Sequence, residues 1–424
     1  MRTKLRTAAL LAIAGAVMAA TVGPAAAAEV PAAAPAASWQ PDLTSGEAAG
    51  VDASGGTARL DTAHAFQAPA EDSGGAEGGP AVPTGLLTLA PHRIATATDR
   101  VATTVLADLP AGSTATVDVR GMRGNGGWSE WIPATQTAAG TVAELPEPAS
   151  DVQGRLVLTG GTAGAAAAPT VRSVTLTALA PDQTEGKRAT EDAPANFRVF
   201  ATREGLVGGT TANGHVIADR DLFVALPSRR ALSPRDKSDY SVKVCAPSGR
   251  CAFAPVWDVG PWNTRDDYWN PAPQRQEWTD LAQGLPQAQA AFTNNYNGGK
   301  DQYDRKVVNP AGIDLGDGMF WDALGLTNNS WVTVDYLWTG SVRLSKVVAD
   351  NTVSVRSAPD PQAKVVGVAA SRAAVPVECS PAATATVAAG SWLRIGTGQF
   401  IEADTVDHQA PVPACATGPG PAAP

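Results

Sequence analysis

The chain has 424 residues, a formal net charge of −9 at pH 7, 42 glycines, 33 prolines and only four cysteines. An acidic chain of this kind is a poor partner for nucleic acid, and its length suggests two to four domains. The four histidines (His64, His92, His215, His408) lie far apart and none is near a cysteine, so no metal-ligand spacing is present. No phosphate-cradling glycine loop and no G-x-S-x-G occur, which argues against nucleotide and serine-hydrolase chemistry. No cofactor is expected.

Residues 1–28 have a basic start (Arg2, Lys4, Arg6), an apolar stretch from Ala8 to Ala20 and a small-residue run at Ala26-Ala27-Ala28. This is the pattern of an export signal, and no later apolar run approaches the ~20 residues that span a bilayer. A secreted protein is expected, extracellular or wall-associated, off the membrane once the signal is removed, and monomeric. From Glu29 to residue 84 the chain is rich in Ala, Pro, Gly and acidic residues, a composition expected to stay disordered. Residues 85–180 alternate with period two, as in Thr116-Val117-Asp118-Val119-Arg120, and predict an antiparallel β-sandwich. In Trp128-Ser129-Glu130-Trp131 the spacing places the two rings on opposite strand faces, one for packing and one for a rim or a sugar. Residues 181–196 are polar and charged and read as a linker.

The next region is also strand-rich, with short helices expected at 279–285 or 287–292 and at 318–324. Its most informative stretch is Pro255-Val256-Trp257-Asp258-Val259-Gly260-Pro261-Trp262. An apolar strand delivers one carboxylate to a Gly-Pro turn beside two tryptophans, an arrangement suited to proton chemistry on a sugar. A turn aspartate bonding its own backbone is the alternative.

Four ordered motifs extend this. They are Gly208-Gly209-Thr210-Thr211-Ala212-Asn213-Gly214, Leu226-Pro227, Asp258-Val259-Gly260-Pro261 and Gly312-Ile313-Asp314-Leu315-Gly316. Together they resemble the double-psi β-barrel of the rare lipoprotein A and expansin group over residues 197–339. The resemblance implies Asp258 as the catalytic acid, Thr211 as part of the groove, and Asp314 as a cap of a following short helix. Two departures from that pattern stand out: His215 replaces an acidic residue, and Phe223 replaces a histidine. His215, Asp219 and Asp221 are left as candidate proton-transfer partners. The insertion at 263–309 carries Tyr268, Trp269 and Tyr296, read with Trp257 and Trp262 as ring-stacking candidates or as packing residues.

Residues 345–407, with Val353-Ser354-Val355-Arg356-Ser357, Lys364-Val365-Val366-Gly367 and Trp392-Leu393-Arg394-Ile395, resemble a bacterial SH3 domain. Such domains commonly bind peptidoglycan, so the resemblance implies wall tethering. Residues 408–424 form a Pro/Gly/Ala-rich tail. Cys245 and Cys251 flank a hairpin turn and are paired locally, which leaves Cys379 and Cys415 to each other. The sequence thus describes an all-β, multi-domain chain (sandwich, double-psi barrel, SH3-like barrel) acting on a cell-wall glycan or peptidoglycan. Cleavage, non-catalytic binding or wall loosening, and peptide binding in the same groove all remain open.

Overall fold

The computed structural model describes residues 37–67, 82–161, 168–181, 193–381, 390–407 and 411–415. The expected export signal, residues 182–192 of the linker and the tail from 416 onward lie outside the described residues. The architecture is all-β, with one α-helix among the described residues, Gln287–Asn294 (α1), and a few short 3-10 or π turns.

The disorder expected from residue 29 to 84 does not hold for 37–67. Ala37–Trp39 pairs with Thr170–Ala178, Glu47–Ala49 and Phe66–Gln67 pair with Pro83–Thr88, and Ala58–Leu60 pairs with both Val51–Asp52 and Thr170–Ala178. Composition averages over the stretch and hides its spaced apolar anchors. Leu43, Val51 and Leu60 are all buried in the sandwich core, and edge pairing satisfies the backbone.

Every pairing in the sandwich sheet is antiparallel. Its two longest strands are His92–Asp108 and Gly140–Thr159. The second changes partners part-way: its first part pairs with His92–Asp108 and its last with Thr114–Gly121. Register shifts around Ala149 mark the bend, just after Pro146-Glu147-Pro148, because proline cannot donate to the ladder. Leu87, Val101, Val119, Leu156 and Leu176 fill the core between the layers.

The central domain is a closed six-stranded ring. Its strands are β1 (Ala195–Glu204), β2 (Val224–Leu226), β3 (Ser241–Cys245), β4 (Cys251–Val259), β5 (Ala311–Gly316) and β6 (Ser330–Tyr336). They pair in the order β2-β5-β1-β6-β3-β4 and back to β2. β1 with β5 and β2 with β4 are parallel, and the other pairs are antiparallel. Exchanging the first three strands for the last three maps this ring onto itself. Closure leaves no free edge and buries Val199, Val242, Val256, Ile313 and Val334.

The sandwich docks on this barrel through Trp128-Ser129-Glu130-Trp131. Trp131 is fully buried between the guanidinium groups of Arg120 and Arg155, 4.1 and 4.4 Å from its ring, and its indole N–H donates to Leu232 O. Glu130 is buried too. It accepts from Trp269 Nε1, Trp338 Nε1 and Asn270 Nδ2, and Arg230 lies 3.2 Å away. Burial pushes its carboxyl up, but Arg230 and the three donors outweigh that and hold it below the usual carboxylate range.

The C-terminal barrel shares the ring's core. Its strand Val365–Ala369 runs parallel to β4, Cys251 opposite Gly367 and Phe253 opposite Ala369. Gly367 permits this, since a Cβ there would fall 2.2 Å from Cys251 O. Expected as a self-contained unit, residues 345–407 instead pack Val355, Ala369, Leu393 and Ile401 into the central hydrophobic cluster. Both expected disulfides form, Cys245–Cys251 and Cys379–Cys415.

Candidate functional site

The barrel gathers acidic groups across neighbouring strands. Ala225 on β2 is the register partner of Asp258 on β4 and of Asp314 on β5, and register partners share a sheet face. On β1, Thr202 is opposite Asp314, and Glu204 ends the strand two residues later. The alignment of Asp258 depends on a bulge. Val224 pairs with Val256 and Ala225 with Asp258, leaving Trp257 as the extra residue. A bulge of this kind re-aims the side chains around it.

The carboxyl group of Glu204 lies within hydrogen-bonding reach of that of Asp258. Two ionised carboxylates have only acceptors, so they bond to each other only when one of the pair carries a proton. Asp258 Oδ1 also accepts from the backbone N–H of Ala212 (2.8 Å) and of Val259 (2.7 Å). Burial dominates over these bonds and raises the Asp258 carboxyl above its ordinary value.

The Thr-Thr-Ala-Asn-Gly turn exists to present the Ala212 N–H. Thr211 Oγ1 donates to Asn213 Oδ1, Asn213 Nδ2 to Ser233 O, and the Asn213 N–H to Trp257 O. Asp314 accepts from Thr202 Oγ1. Asp258, Glu204 and Asp314 face a cavity of about 480 Å³ whose barrel wall also includes Arg203, Thr210 and Ala225. Its other wall is Ala63 to Gln67, from the stretch expected to be disordered.

The other sequence candidates fall elsewhere. His215 does not reach Asp258: its Nε2 lies 2.7 Å from Asp221 Oδ2 and its ring stands 4.5 Å from Trp257. Asp219 is exposed beside Arg220. Asp314 is a strand residue and caps no helix. The short turn at Gly318–Ala323 has Asp317 at its start, and Asp317 pairs with Arg203.

The aromatic candidates are packing residues. Trp257 joins Ile217 and Phe223. Trp262 is buried against Ala288 and Ala291 of α1, its indole on Asn309. Tyr268 bonds Gly312 O and Tyr336 Oη, and Trp269 bonds Glu130. Tyr296 is half-buried on Trp278, with its hydroxyl on Asp280. Thr211 is buried within its turn. Period-two and loop patterns place a ring on a face but cannot tell which face another module will cover.

Glu204 was the residue sequence reasoning missed. The signal was present, since Glu204-Gly205 repeats the carboxylate-then-glycine strand end of Asp258-Val259-Gly260. The pairing order makes β1 and β4 equivalent strands of the ring. Among the described residues, no group of three or more His, Cys, Asp or Glu is placed to hold a metal ion.

A family model described as a domain of unknown function (DUF8814) matches residues 195–335, the barrel and its insertion. No curated protein matches the chain.

Proposed function

We propose that the chain is an exported, cell-wall-associated protein whose barrel cleaves a cell-envelope glycan, peptidoglycan or a related polysaccharide, by general-acid chemistry at Asp258 and Glu204. One observation carries this reading: two neighbouring carboxyl groups, Asp258 and Glu204, line a cavity of about 480 Å³, and burial raises the acid of Asp258. Breaking a glycosidic bond requires protonation of the leaving oxygen, and an acid with a raised pKa still carries its proton in the working pH range. Asp314, alongside, stabilises positive charge building on the sugar ring. The closed ring with two parallel pairs supports the double-psi resemblance. Because Trp257, Trp262, Tyr268 and Trp269 are buried and Tyr296 packs half-buried on Trp278, a binding-only groove would lack its aromatic platform. Export fits the signal-like start and the two disulfides. Wall tethering fits the SH3-like segment 345–407.

The test is release of soluble fragments from purified sacculi and from β-1,4-glucan over a pH series. The wild type should release them, and Asp258→Asn and Glu204→Gln should each lower turnover by ~10²–10⁴-fold. Asp258→Asn should still pellet with sacculi, since tethering does not use the groove. A folded wild type that releases nothing from either substrate refutes the cleavage reading.

A further inference from the structure

We propose that His64 is a further catalytic residue of this groove, the base that takes the proton from the attacking hydroxyl. The inference rests on the glycan-cleavage reading above. Cleavage at a sugar needs a second proton-transfer group besides the acid, and the barrel wall does not supply one. His215 is turned onto Asp221 and Trp257 and does not line the cavity, Phe223 carries no proton, and Asp314 is held by Thr202.

The opposite wall does. Asp61 opens a tight turn: its carboxylate accepts from the Ala63 N–H, and its carbonyl accepts from the N–H groups of His64 and Ala65. His64 Nδ1 lies 2.6 Å from Asp61 Oδ2, and this bond, the largest influence on Asp61, holds its acid below the ordinary value. The ionised carboxylate can only accept, so Nδ1 carries the hydrogen, and in the neutral form of the ring Nε2 is then the nitrogen with the lone pair. The His64 side chain is 79% exposed yet lines the same cavity as Glu204, Asp258, Asp314 and Arg203.

The turn is anchored on both sides. Phe66 packs with Leu86, Val157 and Val259, and Gly50, at φ +63°, lets Ala65 come so close that a Cβ would sit 2.5 Å from its Cα. In the step, the glycosidic C–O bond breaks and its oxygen takes the proton of the Asp258–Glu204 pair. An O–H, of water or of the sugar itself, forms the new C–O bond and gives its proton to His64 Nε2. The site is therefore composite, with the acid on the barrel and the base on the sandwich.

The experiment measures fragment release by the full chain carrying His64→Ala, Asp61→Asn or Asp258→Asn. His64→Ala should lose about 10²-fold in turnover, regain part of it with added imidazole, and keep the wild-type thermal midpoint because the ring is exposed. Asp61→Asn should lose less and shift the pH profile of turnover. If Asp258→Asn is inactive while His64→Ala stays within threefold of wild type, the His64 assignment falls and the cleavage reading stands. A loss without imidazole rescue and with a lowered thermal midpoint also overturns it. An inactive wild type overturns both.

Discussion

Glu130→Ala should uncouple the sandwich from the barrel. In the wild type the carboxylate accepts from Trp269 Nε1 at 2.6 Å, Asn270 Nδ2 at 2.8 Å and Trp338 Nε1 at 2.9 Å, with Arg230 at 3.2 Å. Removing one partner of a buried ion pair costs about 3–5 kcal/mol. Arg230 and Asn270 keep Asp267 as a second partner, so the ionic part lies toward the low end. The two stranded indole N–H groups add roughly 1 kcal/mol or more each. About 5 kcal/mol is expected in all. Glu130→Gln, which keeps one acceptor oxygen and the volume, should cost roughly half of that. Urea unfolding followed by tryptophan fluorescence reads this directly. At a slope of about 3 kcal/mol/M, the alanine variant should shift the midpoint down by more than 1 M.

The pH dependence has a definite sign. The folded-state acid of Glu130 is depressed, so its stabilisation is present above the unfolded Glu value and is lost as pH falls through the folded one. The gap between wild type and Glu130→Gln should therefore close in acid. An alanine variant within about 1 kcal/mol of wild type at neutral pH would refute the docking argument.

Three further outcomes are expected. Asp258 has a raised folded acid, so its favourable contribution is complete below the unfolded value and is lost as pH rises through the folded one. Asp258→Asn should then melt above the wild type at neutral pH, with the difference shrinking in mild acid; thermal melts across that range check it. Trp262→Ala should destabilise by about 3–5 kcal/mol while leaving sacculus binding unchanged, because the ring is buried under α1. Cys245 and Cys251 close a loop of sequence separation 6, and Cys379 and Cys415 one of 36. Serine replacement should thus cost roughly 2 kcal/mol for the first pair and roughly 4 for the second, measured by denaturant unfolding.

Features set by local covalent and steric rules were legible from the sequence. Period-two alternation marked the strand at Thr114–Gly121, an apolar run marked the one at Cys251–Val259, and the helix at Gln287 was one of two alternative positions expected. The turn between Cys245 and Cys251 specified its own disulfide, and the Gly-Pro turn placed Asp258 at a strand end. Each depends only on neighbours within a few residues.

Tertiary structure decided what those elements meet. Glu204 and Asp258 are 54 positions apart and become neighbouring carboxyl groups only when the ring closes. Trp269 and Trp338 are core residues because Glu130, far upstream, accepts from both indoles. Residues 63–67 become a wall of the groove because Leu43, Val51 and Leu60 are buried against strands that follow them. Burial and pairing are properties of surfaces brought together by the whole chain. A local pattern states which residues can be covered; the covering partner comes from elsewhere in the sequence, and the fold selects it.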